Sequence, residues 1–385
     1  MSDDLNGGHA RGEQSRPDGL ARSPILAGYT YDPEDAYSAR DAGRLLAIRL
    51  ETNRDCNLRC RYCYAQSGRH LGDELSYEML ADVVGQAHDL GAQSVVVIGG
   101  GEPTLHPRFR DLISLIHSLG MIPMIFTNAI CITPELAGFL QDSNASVMAK
   151  LDSLRPHVQD FLAGQVGAFK RMQKGLVNLL DAGFRRPADP HRLRLGASFV
   201  SCRLNREEIE EIWHFCRQQN IFPNMEVLTP TGRAKEELPD EGLTLEDIRE
   251  YKLRVLQIDR TQYGYDWLPY TPLAASGCLQ HLYSLYVTIE GNVRPCAPTK
   301  FDEHPALKVE GVYPHNIRRR SLKDIYEDPL FRYVRSIDQH LQGKCAACPH
   351  LGECIGCRGY AYAVGVNQGK DPREALCGEC LQCFR

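Results

Sequence analysis

The most informative segment of the chain is Cys56-Asn-Leu-Arg-Cys-Arg-Tyr-Cys63, in which three cysteines follow the spacing Cys-x3-Cys-x2-Cys. It comes directly after an apolar, strand-like run at residues 45–50. Three thiolates in one short loop can hold three irons of a 4Fe–4S cluster and leave the fourth iron open to a small molecule. Half of a zinc site or a disulfide knot would also explain the loop, so on its own it leaves those alternatives open.

The composition limits the class of protein. The chain has 385 residues, 43% of them hydrophobic, and a formal net charge of −5. This length suggests two or three domains, or one large barrel with an appendage. The charge gives no reason to expect a nucleic acid or an anionic membrane as partner, and no apolar run approaches the length of a membrane span.

The N-terminal residues 1–42 are expected to form a disordered tail, because their first half is rich in glycine, charge and proline. They contain no apolar core of a signal peptide, so we expect a cytoplasmic protein. In a reducing compartment, 15 cysteines indicate metal binding or catalysis rather than disulfides. Cys131, Cys202 and Cys216 are isolated from the rest and are interpreted as ordinary buried thiols.

From residue 43 to residue 260 the chain alternates strand-like and helix-like segments. The predicted strands are residues 47–52, 94–99, 122–127, 147–151, 194–200 and 224–228. Such alternation implies an α/β fold with parallel strands and right-handed crossovers. In α/β barrels the chemistry occurs at the carboxyl ends of the strands, so the residues that follow each strand are the candidates for a site.

The cysteine run, with Tyr62 before its last cysteine, resembles the signature of the radical S-adenosylmethionine (SAM) superfamily. Six strand–helix units match the partial (β/α)6, TIM-like barrel of that superfamily. The resemblance implies that the open iron of the 4Fe–4S cluster binds the amino and carboxylate groups of SAM. One electron then splits SAM into methionine and a 5′-deoxyadenosyl radical.

The resemblance also gives roles to residues at the strand ends. Gly100, Gly101 and Glu102 match a Gly-Gly-Glu motif that binds the SAM amine. An ordinary glycine-rich turn between a strand and a helix would explain the same residues. Asn128 lies where the family often has Thr-Asn-Gly, with Ala129 in place of the glycine. The other residues that the resemblance directs towards SAM are Lys150, Asp152, Ser198 and Arg233.

Two of these assignments come with alternatives. Lys150 and Asp152 would reach the carboxylate and ribose of SAM, but the glycine that commonly follows the aspartate is Ser153 here. Arg233 belongs to the segment 230–234, which resembles a Pro-x-Gly-Arg-Ala loop near the adenine. A surface ion pair would explain Arg233 equally well.

A second group of cysteines occupies the C-terminal part, residues 261–385. Its members are Cys278, Cys296, Cys345, Cys348, Cys354, Cys357, Cys377, Cys380 and Cys383. Between the first two, the sequence predicts a β-hairpin with its turn at residues 290–292. This pattern resembles the SPASM domain, named for the maturases of subtilosin, pyrroloquinoline quinone, anaerobic sulfatases and mycofactocin. The resemblance implies two auxiliary iron–sulfur clusters, which we expect to be of the 4Fe–4S type.

By motif position, the resemblance assigns the cysteines to two auxiliary clusters. The proximal cluster, nearer the barrel, takes Cys278, Cys296 and Cys357, and the distal cluster takes Cys345, Cys348, Cys354 and Cys377. The last spacing is x2 instead of the usual x3, and no extra cysteine lies between the first two. The fourth proximal ligand is therefore open among Cys380, Cys383, His281 and the substrate, and zinc is the alternative for the whole array.

The resemblance implies a maturase or oxidoreductase of natural-product or protein maturation. Its radical would take hydrogen from a peptide or protein side chain, and the auxiliary clusters would take the second electron. A dehydrogenase, epimerase or dehydratase of a sugar, aminocyclitol or other small metabolite is the alternative, and a non-catalytic zinc or iron–sulfur scaffold is the second alternative. Asp266 is a candidate base, although a packed aromatic linker at residues 263–270 would also explain it.

The expected partners are a low-potential electron donor of the flavodoxin or ferredoxin type and the substrate. About 45 residues precede the first barrel strand. That is too few for the winged-helix domain with which some peptide maturases recognise their substrate. A peptide would therefore dock directly or arrive with a separate recognition protein.

Overall fold

The structure is a computed structural model that describes residues 19–68, 70–229, 231–380 and 382–385. The strands are β1 (Ala21–Arg22), β2 (Ile25–Leu26), β3 (Ala47–Glu51), β4 (Ser94–Ile98), β5 (Ile122–Thr127), β6 (Ser146–Lys150), β7 (Arg192–Leu193), β8 (Leu195–Ser201), β9 (Phe222–Val227), β10 (Tyr265–Asp266), β11 (Ser284–Val287) and β12 (Val293–Arg294).

The helices follow the strands along the chain. They are α1 (Pro33–Asp41), α2 (Tyr77–Asp89), α3 (Phe109–Ser118), α4 (Pro134–Asp142), α5 (Pro156–Ala163), α6 (Ala168–Leu179), α7 (Ile209–Gln218), α8 (Ala234–Glu237), α9 (Leu245–Ile258), α10 (Gln280–Tyr283), α11 (Leu322–Tyr326), α12 (Pro329–Arg335), α13 (Gly343–Ala346), α14 (Arg358–Asn367) and α15 (Pro372–Cys377). Within the described ranges, none of them is long and apolar enough to cross a membrane.

Eight strands form one sheet in the order β12-β11-β3-β4-β5-β6-β8-β9. Neighbours from β11 to β9 pair in parallel, and β12 pairs with β11 in the antiparallel direction. The six predicted strands are confirmed as β3, β4, β5, β6, β8 and β9, with ends that agree within two residues. Strands buried on both faces carry near-continuous apolar runs, and this is why the sequence revealed them.

The sheet has an apolar core on each face. Side chains such as Leu50, Val97 and Ile125 face the surrounding helices. On the other face, Met124 and Met148 belong to a second core, which also contains residues of the N-terminal segment. The carboxyl ends of the parallel strands therefore meet at one rim, where the loops between strands and helices begin.

The N-terminal expectation was wrong for residues 19–42. β1 pairs with β10, β2 pairs with β7, and Leu26 is fully buried. The Tyr31 hydroxyl donates to the Leu46 carbonyl at 3.0 Å, directly before β3. The composition of the segment concealed its few apolar and aromatic side chains, which are enough to pack against the barrel. Residues 1–18 lie outside the described residues.

The predicted hairpin is confirmed, but its position is new. β11 and β12 flank the turn, and β11 continues the barrel sheet beyond β3 in parallel register, with Ser284 beside Ala47 and Val287 beside Leu50. The hairpin of the C-terminal part is therefore built into the barrel sheet.

Candidate cluster and cofactor site

The three-cysteine loop begins five residues after β3 and is fixed to the rim at several points. The Cys63 amide donates to the Cys60 carbonyl at 3.2 Å, and the Arg61 amide donates to the Leu162 carbonyl at 2.9 Å. Burial, followed by the nearby Asp152 carboxylate, raises the pKa of the Cys60 thiol to about 12, and the thiols of Cys63 and Cys56 add to the shift. The structure thus brings the three thiols into one electrostatic environment.

The glycine-rich loop after β4 lies against the segment that leads into Cys56. A Cβ on Gly100 would come within 2.6 Å of Arg54 Cδ, and one on Gly101 within 2.1 Å of the Asp55 carbonyl oxygen. The Glu102 amide donates to that same carbonyl at 2.7 Å. These glycines are therefore required for a close approach to the cysteine loop.

The Glu102 carboxylate joins the ends of β4 and β5. It accepts from the Thr104 amide and hydroxyl, from the Thr127 hydroxyl at 2.7 Å and from the Asn128 amide at 2.8 Å. Burial raises the pKa of Glu102, although these hydrogen bonds oppose the shift. Asn128 in turn donates to Asn57 Oδ1 at 2.6 Å, so the network reaches the cysteine loop.

At the end of β6, Lys150 and Asp152 form a buried ion pair with 3.1 Å between Nζ and Oδ1. Burial lowers the pKa of Lys150, but Asp152, Glu226 and Cys60 together raise it above its ordinary value. Asp152 also accepts from the Tyr62 hydroxyl at 2.6 Å and from the Val200 amide at 3.0 Å. Ser198 is buried beside Lys150 in the register of β6 and β8.

Arg233 holds the cysteine loop in place through three hydrogen bonds. Its Nε donates to the Cys60 carbonyl at 2.9 Å, its Nη1 to the Ser67 carbonyl at 3.0 Å, and its amide to the Cys63 carbonyl at 3.1 Å. Gly232 has φ +57°, and a Cβ there would lie 2.5 Å from the Cys63 carbonyl oxygen. The arginine is buried, so the alternative of a surface ion pair is wrong; Pro230 of the same segment lies outside the described residues.

The inward face of the sheet carries charged residues that the sequence analysis missed. Arg49 and Glu51 alternate with apolar residues along β3, and both are buried. Glu51 accepts from the Tyr286 hydroxyl at 2.5 Å and from the Ile289 amide at 2.9 Å, and burial raises its pKa. Glu226 on β9 accepts from Asn224 at 2.9 Å. Alternation of charged and apolar residues along a strand is the signal that could have found them.

Asp266 and Cys131 have specific neighbours in the structure. Asp266 lies on β10 beside β1 and accepts from Arg260 Nε at 2.7 Å, so it is not among the side chains gathered at the strand ends. Cys131 is only partly buried, and Asn57 of the cysteine loop donates to its sulfur at 3.5 Å. Its interpretation as an ordinary buried thiol was wrong, whereas that of Cys202 and Cys216 is confirmed.

The C-terminal cysteines surround one buried region. Burial, and then the thiols of Cys380, Cys278 and Cys296, raise the pKa of Cys357. Burial, and then Cys380, Cys383 and Cys348, raise the pKa of Cys354. Among the described residues, no three His, Cys, Asp or Glu side chains lie close enough to one another to hold a single metal ion.

The surroundings of two guanidinium groups indicate whether this region suits an iron–sulfur cluster. Burial raises the pKa of Cys278, and the nearby charges of Arg49 and Arg358 lower it. In the described part of the chain, Nε and Nη2 of Arg49 and Nε of Arg358 are buried without a hydrogen-bond partner. Buried donor nitrogens without a partner are costly, and thiolates around an iron–sulfur core are anionic acceptors that would pair with them. The residues present therefore fit such a cluster.

Comparison with known proteins agrees with this arrangement. The profile of the Radical SAM superfamily matches residues 50–216, and that of SPASM, an iron–sulfur cluster-binding domain, matches residues 278–349. The mycofactocin maturase MftC of Mycolicibacterium smegmatis is 28% identical over 352 residues, which cover 88% of this chain and 83% of that protein. The AdoMet-dependent heme synthase of Oleidesulfovibrio alaskensis is 23% identical over 370 residues, which cover 88% and 89%.

Solved structures show the same fold. The crystal structure of Streptococcus suis SuiB bound to the precursor peptide SuiA has a TM-score of 0.62 and 19% identity, and the match covers 89% of this chain and 79% of that chain. Both profiles and the strand-end geometry lead to one conclusion. The chain is a radical SAM enzyme of the SPASM subfamily, with a SAM-binding 4Fe–4S cluster in its barrel and auxiliary iron–sulfur clusters in its C-terminal part.

Proposed function

We propose that this enzyme removes a hydrogen atom from a peptide or protein side chain and that the auxiliary clusters take the second electron. The observation that carries the proposal is the parallel pairing of β11 with β3. β3 leads into the Cys56–Cys63 loop, whereas β11 lies between Cys278 and Cys296. This pairing supports a short route from the place of hydrogen abstraction to the auxiliary thiols.

When bound, a 4Fe–4S cluster at Cys56, Cys60 and Cys63 supplies the electron that splits SAM into methionine and a 5′-deoxyadenosyl radical. The residues that we assign to SAM are Gly100, Gly101, Glu102, Asn128, Lys150, Asp152, Ser198 and Arg233. Most of these side chains already make hydrogen bonds within the protein, so SAM would meet groups held in position before it binds.

The substrate reaction balances as a two-electron oxidation. The substrate loses a hydrogen atom to the 5′-deoxyadenosyl radical, then one electron to the auxiliary site and one proton to a base. The low-potential donor replaces the electron consumed in splitting SAM. Glu51 and Glu226 are our candidates for the base, because both lie on the inward face of the sheet. Asp266 is a weaker candidate, because it is ion-paired with Arg260.

A peptide substrate is supported by two comparisons. The similarity to the mycofactocin maturase extends over both domains, and SuiB, which shares the fold, was crystallised with its precursor peptide. A small metabolite is the second candidate, and the similarity to an AdoMet-dependent heme synthase over 88% of the chain favours it. The barrel residues assigned to SAM would serve either substrate.

The test is to offer deuterated substrates to the anaerobically reconstituted enzyme with SAM and a low-potential reductant. Candidate peptides, such as short precursor peptides encoded beside the gene, carry deuterium at side-chain carbons. We expect deuterium in 5′-deoxyadenosine and a product with two hydrogens fewer. The control variant, with alanine at Cys56, Cys60 and Cys63, should form no 5′-deoxyadenosine.

Two outcomes would contradict the proposal. If deuterium reached 5′-deoxyadenosine from a small metabolite but from no peptide, the substrate would be a small metabolite and not a peptide. Label transfer followed by return of hydrogen to the substrate, without net oxidation, would remove the role of the auxiliary clusters as electron acceptors. The two results are read from different molecules, so each part of the proposal can fail separately.

A further inference from the structure

We propose that Cys380 is the fourth protein ligand of the proximal auxiliary cluster, and that Cys383 instead of Cys377 completes the distal one. The proximal set is then Cys278, Cys296, Cys357 and Cys380, and the distal set is Cys345, Cys348, Cys354 and Cys383. This assignment rests on the proposed function and deepens it. It leaves no open iron for a substrate thiolate, so the proximal cluster serves only to transfer electrons.

The C-terminal tail runs directly against the turn that contains Cys357. Gly356 has φ +68°, and a Cβ there would lie 2.8 Å from the Cβ of Cys380 and 2.5 Å from Arg358 Nη2. Gly359, one turn further, would bring a Cβ within 3.2 Å of the Cys296 sulfur. Cys380 and Cys296 thus approach the same short segment around Cys357, and both approaches require glycine.

Arg358 fixes the tail in this place. It is almost completely buried, and its Nη1 donates to the Leu376 carbonyl at 3.0 Å and to the Gly378 carbonyl at 2.7 Å. These two bonds hold the residues just before Cys380 beside the first turn of α14. Because the guanidinium is rigid and makes both bonds at once, the position of Cys380 is well determined.

Cys377 has a different neighbour. Its sulfur lies 2.7 Å from the Tyr333 hydroxyl. Its carbonyl accepts from the Gln342 amide at 3.0 Å. The residue is therefore integrated into the packing between α15 and α12 rather than into the group around Cys354.

Cys383 lies with the distal thiols. Lys344, the residue before Cys345, donates from Nζ to the Cys383 carbonyl at 3.1 Å. Arg385 donates to the Cys348 sulfur at 3.6 Å. The last residues of the chain therefore close over the Cys345–Cys354 segment, and Cys383 can supply the ligand that motif position assigned to Cys377.

The test uses the full-length enzyme with alanine at Cys56, Cys60 and Cys63, so that iron and spectra report the auxiliary clusters alone. Cys296→Ala and Cys348→Ala provide reference spectra for loss of the proximal and of the distal cluster. Cys380→Ala, Cys383→Ala and Cys377→Ala are then reconstituted in parallel. Iron and sulfide content and the electron paramagnetic resonance of the reduced protein are measured without turnover.

We expect Cys377→Ala to keep the full content of about eight irons. Cys380→Ala should lose up to half of it and give the spectrum of Cys296→Ala, and Cys383→Ala should give that of Cys348→Ala. A Cys380→Ala spectrum that matches Cys348→Ala, or loss of a cluster in Cys377→Ala, would overturn the assignment. These readouts do not depend on the substrate. The ligand assignment can therefore be wrong while label transfer supports the proposed function, and the reverse is also possible.

A second measurement needs no substitution of the C-terminal cysteines. It therefore still applies if one of the variants above fails to fold. Ethanethiol is added to the same protein with all nine C-terminal cysteines intact. Full ligation by protein predicts that the spectrum of neither auxiliary cluster changes. A shift in the proximal signal on addition of the thiol would show an open iron and overturn the assignment.

Discussion

The Tyr62 hydroxyl donates a 2.6 Å hydrogen bond to the Asp152 carboxylate, and this contact joins the three-cysteine loop to the end of β6. Asp152 is completely buried and also pairs with Lys150. This contact gives a structural reason for an aromatic residue, Tyr62, in the cysteine motif. It fixes the loop to the strand that carries residues assigned to SAM.

We therefore expect Tyr62→Phe to weaken the site without changing the fold. A hydrogen bond to a charged group contributes about 1.5–3 kcal/mol, and the loop would lose that much of its attachment to the rim. The KM for SAM should rise and the unfolding midpoint in urea should fall. Tyr64→Phe is the control, because its hydroxyl makes only a long 3.5 Å contact with Tyr286. Equal effects of the two substitutions would contradict the role of the Tyr62 contact.

Two helical glycines should respond in opposite directions to the same substitution. A Cβ added to Gly85 in α2 would meet no atom within 4 Å, so Gly85→Ala should stabilise the protein by about 0.5–1 kcal/mol. In α6, a Cβ on Gly175 would come within 1.8 Å of the Ala129 carbonyl oxygen. Gly175→Ala should therefore destabilise by about 1–3 kcal/mol and displace the neighbouring Asn128. Urea unfolding of both variants, with SAM binding measured alongside, tests this; a stable Gly175→Ala variant with unchanged SAM affinity would refute it.

A departure from the family motif lies at the same contact with α6. Ala129 stands where the family often has glycine, and it has φ +64°. The left-handed region costs an alanine about 1–2 kcal/mol. Sequence comparison could identify the position but not the cost, which depends on a backbone angle.

How much of the structure the sequence predicts depends on how far apart in the chain the interacting residues lie. The six barrel strands could be predicted because each is a short apolar run, and the hairpin could be predicted from its local turn. The pairing of β11 with β3 joins residues more than 200 positions apart, and the pairing of β1 with β10 is similarly distant. Both depend on tertiary packing, as do the contacts of Arg233 with the cysteine loop. Local patterns contain no information on them.

Arg233, which we assign to SAM, also donates to two carbonyls of the cysteine loop. Arg233→Lys removes the planar fork that makes both bonds, so the loop should hold iron less firmly. We expect an iron chelator to remove the SAM-binding cluster several-fold faster than in the wild type. Arg254→Lys is the control, because its ion pairs are exposed. An unchanged rate of iron loss with a raised KM for SAM would show that Arg233 acts on SAM alone and does not hold the loop.

Cys131 offers a probe of the SAM site. It is partly exposed beside Asn57, whereas Cys202 and Cys216 are buried, and burial raises the pKa of Cys216 to about 12. Since the thiolate is the reacting species, iodoacetamide at about pH 8 should label Cys131 before the other two. Bound SAM should slow that labelling, because Glu102 and Asn128 lie in the same network. Mass spectrometry of the reconstituted enzyme with and without SAM measures both effects, and labelling of Cys216 at the same rate would contradict the burial.

The last prediction concerns Arg49, whose guanidinium lies over the Tyr29 ring at 5.0 Å and near Cys278 and Cys296. A buried cation favours the reduced, more negative state of a neighbouring cluster. Arg49→Met should therefore lower the reduction potential of the proximal cluster, by on the order of 50–100 mV. SAM cleavage should continue, but less product should form per 5′-deoxyadenosine, because the substrate radical loses its electron more slowly. Arg194→Met is the control, since Arg194 donates to the Ala145 carbonyl on the helix-facing side of the barrel. If Arg49→Met kept both the potential and the product ratio of the wild type, the arginine would have no electrostatic role at the cluster, and its unpaired nitrogens would need another partner.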